Sequence, residues 1–166
     1  IFMLSFLKPK AKSHTVPADK VMPTYKKLRF ISLLGVFLGY MAFYIVRNNI
    51  SLSSSDLKAS LGISKTQMGA IMSYMLLAYG LSKGFMSSLS DKADPKKYMA
   101  LGLFLCASVN LALGVSHTVF LVSILVILLG LFQGMGVGPA FITLASWYPK
   151  KERGRMTALW NISHNI

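Results

Sequence analysis

Fifty-two consecutive residues, Tyr98 to Pro149, contain no Asp, Glu, Lys or Arg. As a single helix that run would be about 78 Å long at roughly 1.5 Å per residue. The hydrocarbon core of a bilayer is only about 30 Å thick. The run must therefore double back, and the polar trio Ser116, His117 and Thr118 is its natural turn. Two spans result, roughly 98–115 and 119–147. A soluble core can hide one such helix, but two consecutive charge-free helices belong in lipid.

Two more spans precede these. Phe30 to Val46 is apolar apart from Ser32 and two tyrosines, and Thr66 to Ser90 is charge-free except for Lys83. A fifth begins at Met156 and reaches Ile166. Those eleven residues cover about 16 Å, half a bilayer. A helix ending there would leave a terminal carboxylate in hydrocarbon. The expectation is a piece of a longer protein, and Ile1 in place of an initiating Met points the same way.

The chain carries 18 Lys and Arg against 5 Asp and Glu, a net charge of +13. That excess alone would suggest nucleic acid. A mean hydropathy of +0.54 with 14% charged residues excludes both that reading and disorder. One cysteine excludes a disulfide framework and a Cys-based zinc site. The basic residues sort by loop instead. Seven precede Phe30, three (Lys92, Lys96, Lys97) separate spans two and three, and four (Lys150, Lys151, Arg153, Arg155) separate spans four and five. The opposite loops hold only Lys58 and Lys65. The positive-inside rule places the N-terminus in the cytoplasm. The expected organisation is a basic cytoplasmic segment, residues 1–29, followed by transmembrane helices over 30–166, the fifth cut short. The leading apolar stretch is too short for a signal peptide.

Arg47 and Lys83 remain, within or at the edge of spans. An intramembrane ionisable residue points to function once its partner is named. The five acids, Asp19, Asp56, Asp91, Asp94 and Glu152, all lie in loops or the tail. The missing anion is then a substrate or a carboxylate outside this sequence. Tyr40, Tyr44 and Arg47 are spaced i, i+4, i+7 and share one helical face. Tyr79 and Lys83 are i, i+4, as are Trp160 and His164, with Asn161 alongside. Arg presents a planar fork that suits phosphate, and Lys a compact charge.

Depth separates these groups. Lys83 lies about 12 Å inside the cytoplasmic end of its span and His164 about 14 Å inside, while Arg47 lies about 27 Å from Arg29, near the outer interface. Spacing alone leaves Arg47 open between a binding group and a snorkelling residue at a helix end. A first helix continuing through Asn48–Leu57 would favour binding. Snorkelling from mid-span is a long reach for Lys83. For His164 the bland alternative is a hydrogen-bonded histidine inside a helix.

Gly80 and Gly84, and Gly130, Gly134 and Gly138, repeat at the four-residue spacing that lets helices approach closely. Gly136, Gly138 and Pro139 are expected to bend the fourth helix. Cys106 is mid-helix and inert. No Gly-rich phosphate loop, metal-ligand spacing or nucleophile–base set is visible, and neither a cofactor nor enzymatic chemistry is expected.

Four segments together resemble the organophosphate:phosphate antiporters of the major facilitator superfamily. They are Arg153-Gly154 followed after five residues by Trp160-Asn161-Ile162-Ser163-His164-Asn165-Ile166; Gly39-Tyr40 through Tyr44-Ile45-Val46-Arg47-Asn48-Asn49; Ala78-Tyr79-Gly80-Leu81-Ser82-Lys83; and Leu131-Phe132-Gln133-Gly134-Met135-Gly136. The resemblance implies an all-α membrane protein, of which this chain is about four and a half helices of twelve. It implies exchange of a phosphorylated metabolite for inorganic phosphate by rocking two halves about a central site. It assigns phosphate binding to Arg47, which tips the balance toward a site, and places the family's helix-two lysine at Lys83 and its helix-five histidine at His164. Tyr40, Tyr44, Tyr79, Trp160 and Asn161 complete the expected substrate contacts. Asp91, Lys92, Arg153 and Gly154 are the expected gating residues. One departure is Ser87, which stands where the superfamily's loop motif carries glycine, four residues before Asp91.

Within that family, Gly134–Thr143 looks closest to the phosphoglycerate branch, while Asn161–Asn165 also occurs among hexose-phosphate members; glycerol-3-phosphate is the third candidate. The implied partners are an organophosphate, inorganic phosphate and the lipid bilayer of the cell membrane, with no nucleic acid and a monomeric full-length protein. The alternatives are a proton-coupled relative carrying another solute, for which His164 is the available relay in this half, and a truncated membrane fragment without transport.

Overall fold

A computed structural model describes residues 7–8 and 16–163. The described residues are almost wholly helical. After a 3-10 turn at Ala18–Lys20, α1 runs Val21–Leu52, α2 Ser54–Leu61, α3 Lys65–Ser90, α4 Pro95–Gly114, α5 Val119–Gln133, α6 Val137–Trp147 and α7 Lys150–Ile162. A second 3-10 turn, Gly134–Gly136, joins α5 to α6. It breaks the fourth span where its glycines and Pro139 were expected to bend it.

Three stretches are long and apolar enough to cross a membrane: Ala18–Leu61, Pro95–Gly114 and Val119–Trp147. α3 has 26 residues, enough for about 39 Å, but its serines, glycines and Lys83 keep it out of that group. Large apolar side chains such as Leu81, Leu111 and Phe120 are more than three-quarters exposed, an arrangement suited to lipid rather than water.

Local chemistry sets the helix limits. Ser64 caps α3 through a capping box: its hydroxyl accepts from the Gln67 amide at 3.2 Å and its own amide donates to Gln67 Oε1 at 3.0 Å. Asp94 caps α4, accepting from the Lys96 and Lys97 amides, with Pro95 in the first turn. Thr118 caps α5, so Ser116–Thr118 is the turn the polar trio predicted. Gly62 ends α2 at φ +64°, a left-handed conformation that favours glycine.

Packing fixes the relative direction of the helices. Gly130, Gly134 and Gly138 press against α3. A Cβ at Gly130 would lie 2.5 Å from the Met75 carbonyl oxygen, one at Gly134 2.2 Å from Ser82 Oγ, and one at Gly138 2.2 Å from Ser90 Oγ and 3.0 Å from Ser87 Cα. Ser82 donates to the Leu131 carbonyl across this seam. α3 therefore runs parallel to α5 and α6. Gly80 and Gly84 are different: nothing approaches an added Cβ within 4 Å among the described residues.

α1 runs the other way. Near its start, Tyr25 donates to the Trp147 carbonyl at 2.8 Å, Arg29 pairs with Glu152, and the Arg29 guanidinium sits 4.1 Å from the Tyr148 ring centre. Further along, Gln133 Nε2 donates to the Phe43 carbonyl at 2.8 Å in a buried position. α1 is thus antiparallel to α5–α6, and hence to α3. On the side of the α3–α4 connection, Leu7 is buried among Ala93, Tyr98 and Met135, and its carbonyl accepts from the Asp94 amide at 2.7 Å.

Candidate functional site

α1 continues from Arg47 to Leu52 before the chain turns into α2. Phe43, one turn before Arg47, is level with Gln133, while Ser82, next to Lys83, is level with Gly134. Arg47 therefore lies about one turn further than Lys83 toward the end of the bundle that holds the α2–α3 connection. Helical side chains lean toward the N-terminus of their own helix. In two antiparallel helices the Arg47 and Lys83 side chains therefore lean toward each other's level.

They meet at Tyr79. The guanidinium carbon of Arg47 is 4.8 Å from the Tyr79 ring centre, and Lys83 Nζ is 4.7 Å from the same point. Arg47 also lies 5.7 Å from the Tyr44 ring. Depth counted from Arg29 put the two cations apart. Antiparallel lean brings their charged ends to one ring. Arg47 and Tyr79 are partly buried and Lys83 is exposed. An open hollow of about 390 Å³ adjoins them, lined by Tyr44, Arg47, Asn48 and Ser51 of α1 and by Met72, Met75 and Leu76 of α3.

Among the described residues neither Arg47 nor Lys83 forms a hydrogen bond or an ion pair, and the only salt bridge is Arg29–Glu152. Their N–H donors are available to a ligand. Face-on contact with a ring does not consume them, because a guanidinium donates in its plane and a ring attracts charge through its face.

The tyrosine face on α1 extends the site toward α7. Tyr40 lies 5.4 Å from Tyr44 and 4.7 Å, edge-on, from Trp160. The hydroxyls of Tyr40, Tyr44 and Tyr79 are close enough to interact with one another. Trp160 is buried between Tyr40 and Phe141, whose ring centre is 5.2 Å away. Asn161 is on the exposed side of α7. His164 lies outside the described residues.

The gating candidates occupy the opposite end. Asp91 and Lys92 are exposed in the α3–α4 connection, and Ser87, the departure from the superfamily motif, packs its Cα where a Cβ on Gly138 would fall. Arg153 caps the end of α6, donating through Nε to the Tyr148 carbonyl at 3.3 Å and through a terminal nitrogen to the Ala145 carbonyl at 2.8 Å. Gly154 is exposed.

Sequence reasoning assigned no role to Gln133 or Asn110. Asn110 donates to the Cys106 carbonyl at 3.1 Å and accepts from Asn49 at 3.2 Å, joining α1 to α4. The signal was visible in principle: each is a lone amide in a charge-free helix, and such groups need a partner in lipid.

Residues 33–166 match the family model of the Major Facilitator Superfamily. The chain belongs to the major facilitator superfamily. It is therefore a multi-pass membrane protein. It is 57% identical over 164 residues to the phosphoglycerate transporter protein of Salmonella typhimurium, covering 99% of this chain and 35% of that one. It is 36% identical over 168 residues to the glycerol-3-phosphate transporter of Bacillus subtilis, covering 99% and 38%. It is 34% identical over 161 residues to a probable hexose phosphate transport protein of Chlamydia pneumoniae, covering 97% and 35%. The chain thus spans about a third of the length of the curated relatives it matches. Those relatives are organophosphate transporters of this superfamily rather than enzymes, in keeping with the family resemblance of the four segments.

Proposed function

We propose that this chain supplies the N-terminal part of a transporter that exchanges a phosphorylated metabolite for inorganic phosphate by alternating access. The observation that carries the reading is the convergence of Arg47 and Lys83 on Tyr79, with their N–H donors uncommitted. Two cations in a membrane-spanning region call for an anion, and a phosphate supplies oxygens for both. The guanidinium offers a bidentate fork and the ammonium a point charge. Tyr40 and Tyr44 offer hydroxyls to the remaining oxygens, Asn161 of α7 and His164 add further contacts, and Trp160 holds Tyr40 in place.

Phosphoglycerate is the organophosphate best supported, on the 57% identity to a phosphoglycerate transporter. In this reading residues 1–29 face the cytoplasm, the helices over 30–166 cross the plasma membrane, and the complete protein acts as a monomer. Asp91, Lys92, Arg153 and Gly154 work at the cytoplasmic gate.

The test uses a protein of its relatives' length that carries this segment, reconstituted in proteoliposomes loaded with inorganic phosphate. External phosphoglycerate should drive release of labelled phosphate. Arg47→Lys and Lys83→Ala should each lower that exchange at least tenfold. Undiminished exchange in either variant removes that residue from the site. Uptake that follows a proton gradient and ignores internal phosphate would favour the proton-coupled alternative.

A further inference from the structure

We infer that Tyr79 is a positioning residue for the phosphate site, acting through its ring face rather than its hydroxyl. The inference rests on the phosphate site proposed above and deepens it. Arg47 comes from α1 and Lys83 from α3, two helices separated by an open hollow. Neither side chain is fixed by a hydrogen bond or an ion pair among the described residues. Long cationic side chains in that situation sample many rotamers and snorkel toward the nearer interface.

The Tyr79 ring counters this. Both charges lie just under 5 Å from its centre, inside the distance of about 6 Å at which an aromatic quadrupole attracts a cation. The ring stands on α3 one turn from Lys83, so it draws Lys83 outward along its own helix and Arg47 across the hollow. The charges therefore cannot be further apart than their two distances to the ring centre combined. A phosphate that accepts a hydrogen bond of about 2.8 Å from each cation bridges a separation of that order.

The ring also leaves the binding groups intact. A carboxylate in the same place would take the N–H donors and compete with phosphate. A ring face attracts the charge and leaves the guanidinium edge and the ammonium hydrogens for oxygen. Tyr79 in this role gathers the two cations before the ligand arrives, which cuts the ordering cost of binding.

The experiment measures phosphate exchange in proteoliposomes for the protein of its relatives' length, with Tyr79 replaced. Tyr79→Leu should raise the KM for inorganic phosphate about tenfold with a smaller change in kcat, and Tyr79→Phe should restore KM to within about twofold of wild type. Phenylalanines carrying one, two and three ring fluorines at position 79 keep the shape and drain the quadrupole. KM should climb stepwise along that series, which a purely structural role would not produce. Equal KM across the fluorinated series, or Tyr79→Phe as impaired as Tyr79→Leu, overturns the ring-face role. Absence of phosphate exchange in the wild-type protein overturns the site itself and is told apart by that control.

Discussion

Gln133 Nε2 donates to the Phe43 carbonyl across 2.8 Å, joining the end of α5 to the middle of α1. The bond sits one turn from Arg47 and immediately before the 3-10 turn at Gly134–Gly136. It sets the depth of α1 against the rest of the bundle and so the level at which Arg47 meets Tyr79.

Replacing Gln133 should therefore destabilise the protein in proportion to what is left behind. Gln133→Leu keeps much of the volume and loses one buried hydrogen bond, a cost of about 1 kcal/mol. The Phe43 carbonyl keeps its helical partner. Gln133→Glu places an ionisable group in the same buried position and should cost more. Thermal unfolding in detergent checks the order: wild type, then Leu, then Glu. A Glu variant as stable as wild type would show that the position is wetter than its burial implies.

The two glycine series should separate cleanly. Gly134→Ala and Gly138→Ala push a methyl to 2.2 Å from Ser82 Oγ and Ser90 Oγ, and overpacking of this kind costs about 1–3 kcal/mol. Gly80→Ala and Gly84→Ala meet nothing within 4 Å among the described residues and gain helix propensity, so they should be neutral or stabilising by up to about 1 kcal/mol. Unfolding midpoints of the four variants test this. The same four-residue spacing thus carries two meanings, and only the neighbouring helix distinguishes them.

Arg153 should act as a cap as well as a gating candidate. Its guanidinium reaches two carbonyls at the end of α6, Ala145 and Tyr148. Arg153→Ala should cost about 0.5–1.5 kcal/mol. Arg153→Lys should recover little of it, because one ammonium on a flexible stem does not reproduce a planar fork. Full recovery by lysine in unfolding measurements would mean that charge near the helix end, rather than the two hydrogen bonds, is what matters.

Much of the fold was legible in the sequence because lipid imposes a coarse rule. A charge-free run too long for one bilayer must turn, and it turns at Ser116–Thr118 as the polar residues indicate. Faces were legible too: Tyr40, Tyr44 and Arg47 follow from helical spacing, as do Tyr79 and Lys83. The relation between those faces was not. It depends on Gln133 holding Phe43 and on Gly130, Gly134 and Gly138 seating against Met75, Ser82 and Ser90, contacts between residues far apart in the chain. Depth counted from Arg29 and from Asp91 misplaced Arg47 relative to Lys83 because the two starting points are not level (Arg29 meets Tyr148, whereas Ser90 meets Gly138) and because a residue count locates only Cα atoms. The charges sit at the ends of long side chains that lean in opposite directions.

Trp160 and Asn161 were grouped as neighbours on one face, and their environments now separate them. Trp160 is 3% exposed, with Tyr40 edge-on at 4.7 Å and Phe141 at 5.2 Å. Asn161 is exposed. Trp160→Ala should cost about 3–5 kcal/mol, as large-to-small changes of buried aromatics do. Trp160→Phe should cost much less, since a ring remains against Tyr40. Asn161→Ala should leave stability within about 0.5 kcal/mol of wild type. If Trp160 acts on phosphate, it acts by holding Tyr40 in place. Trp160→Phe should then keep phosphate exchange close to wild type, while Tyr40→Leu in the same background should lower it. A Trp160→Phe variant that is stable yet inactive would instead place the indole in direct contact with the ligand.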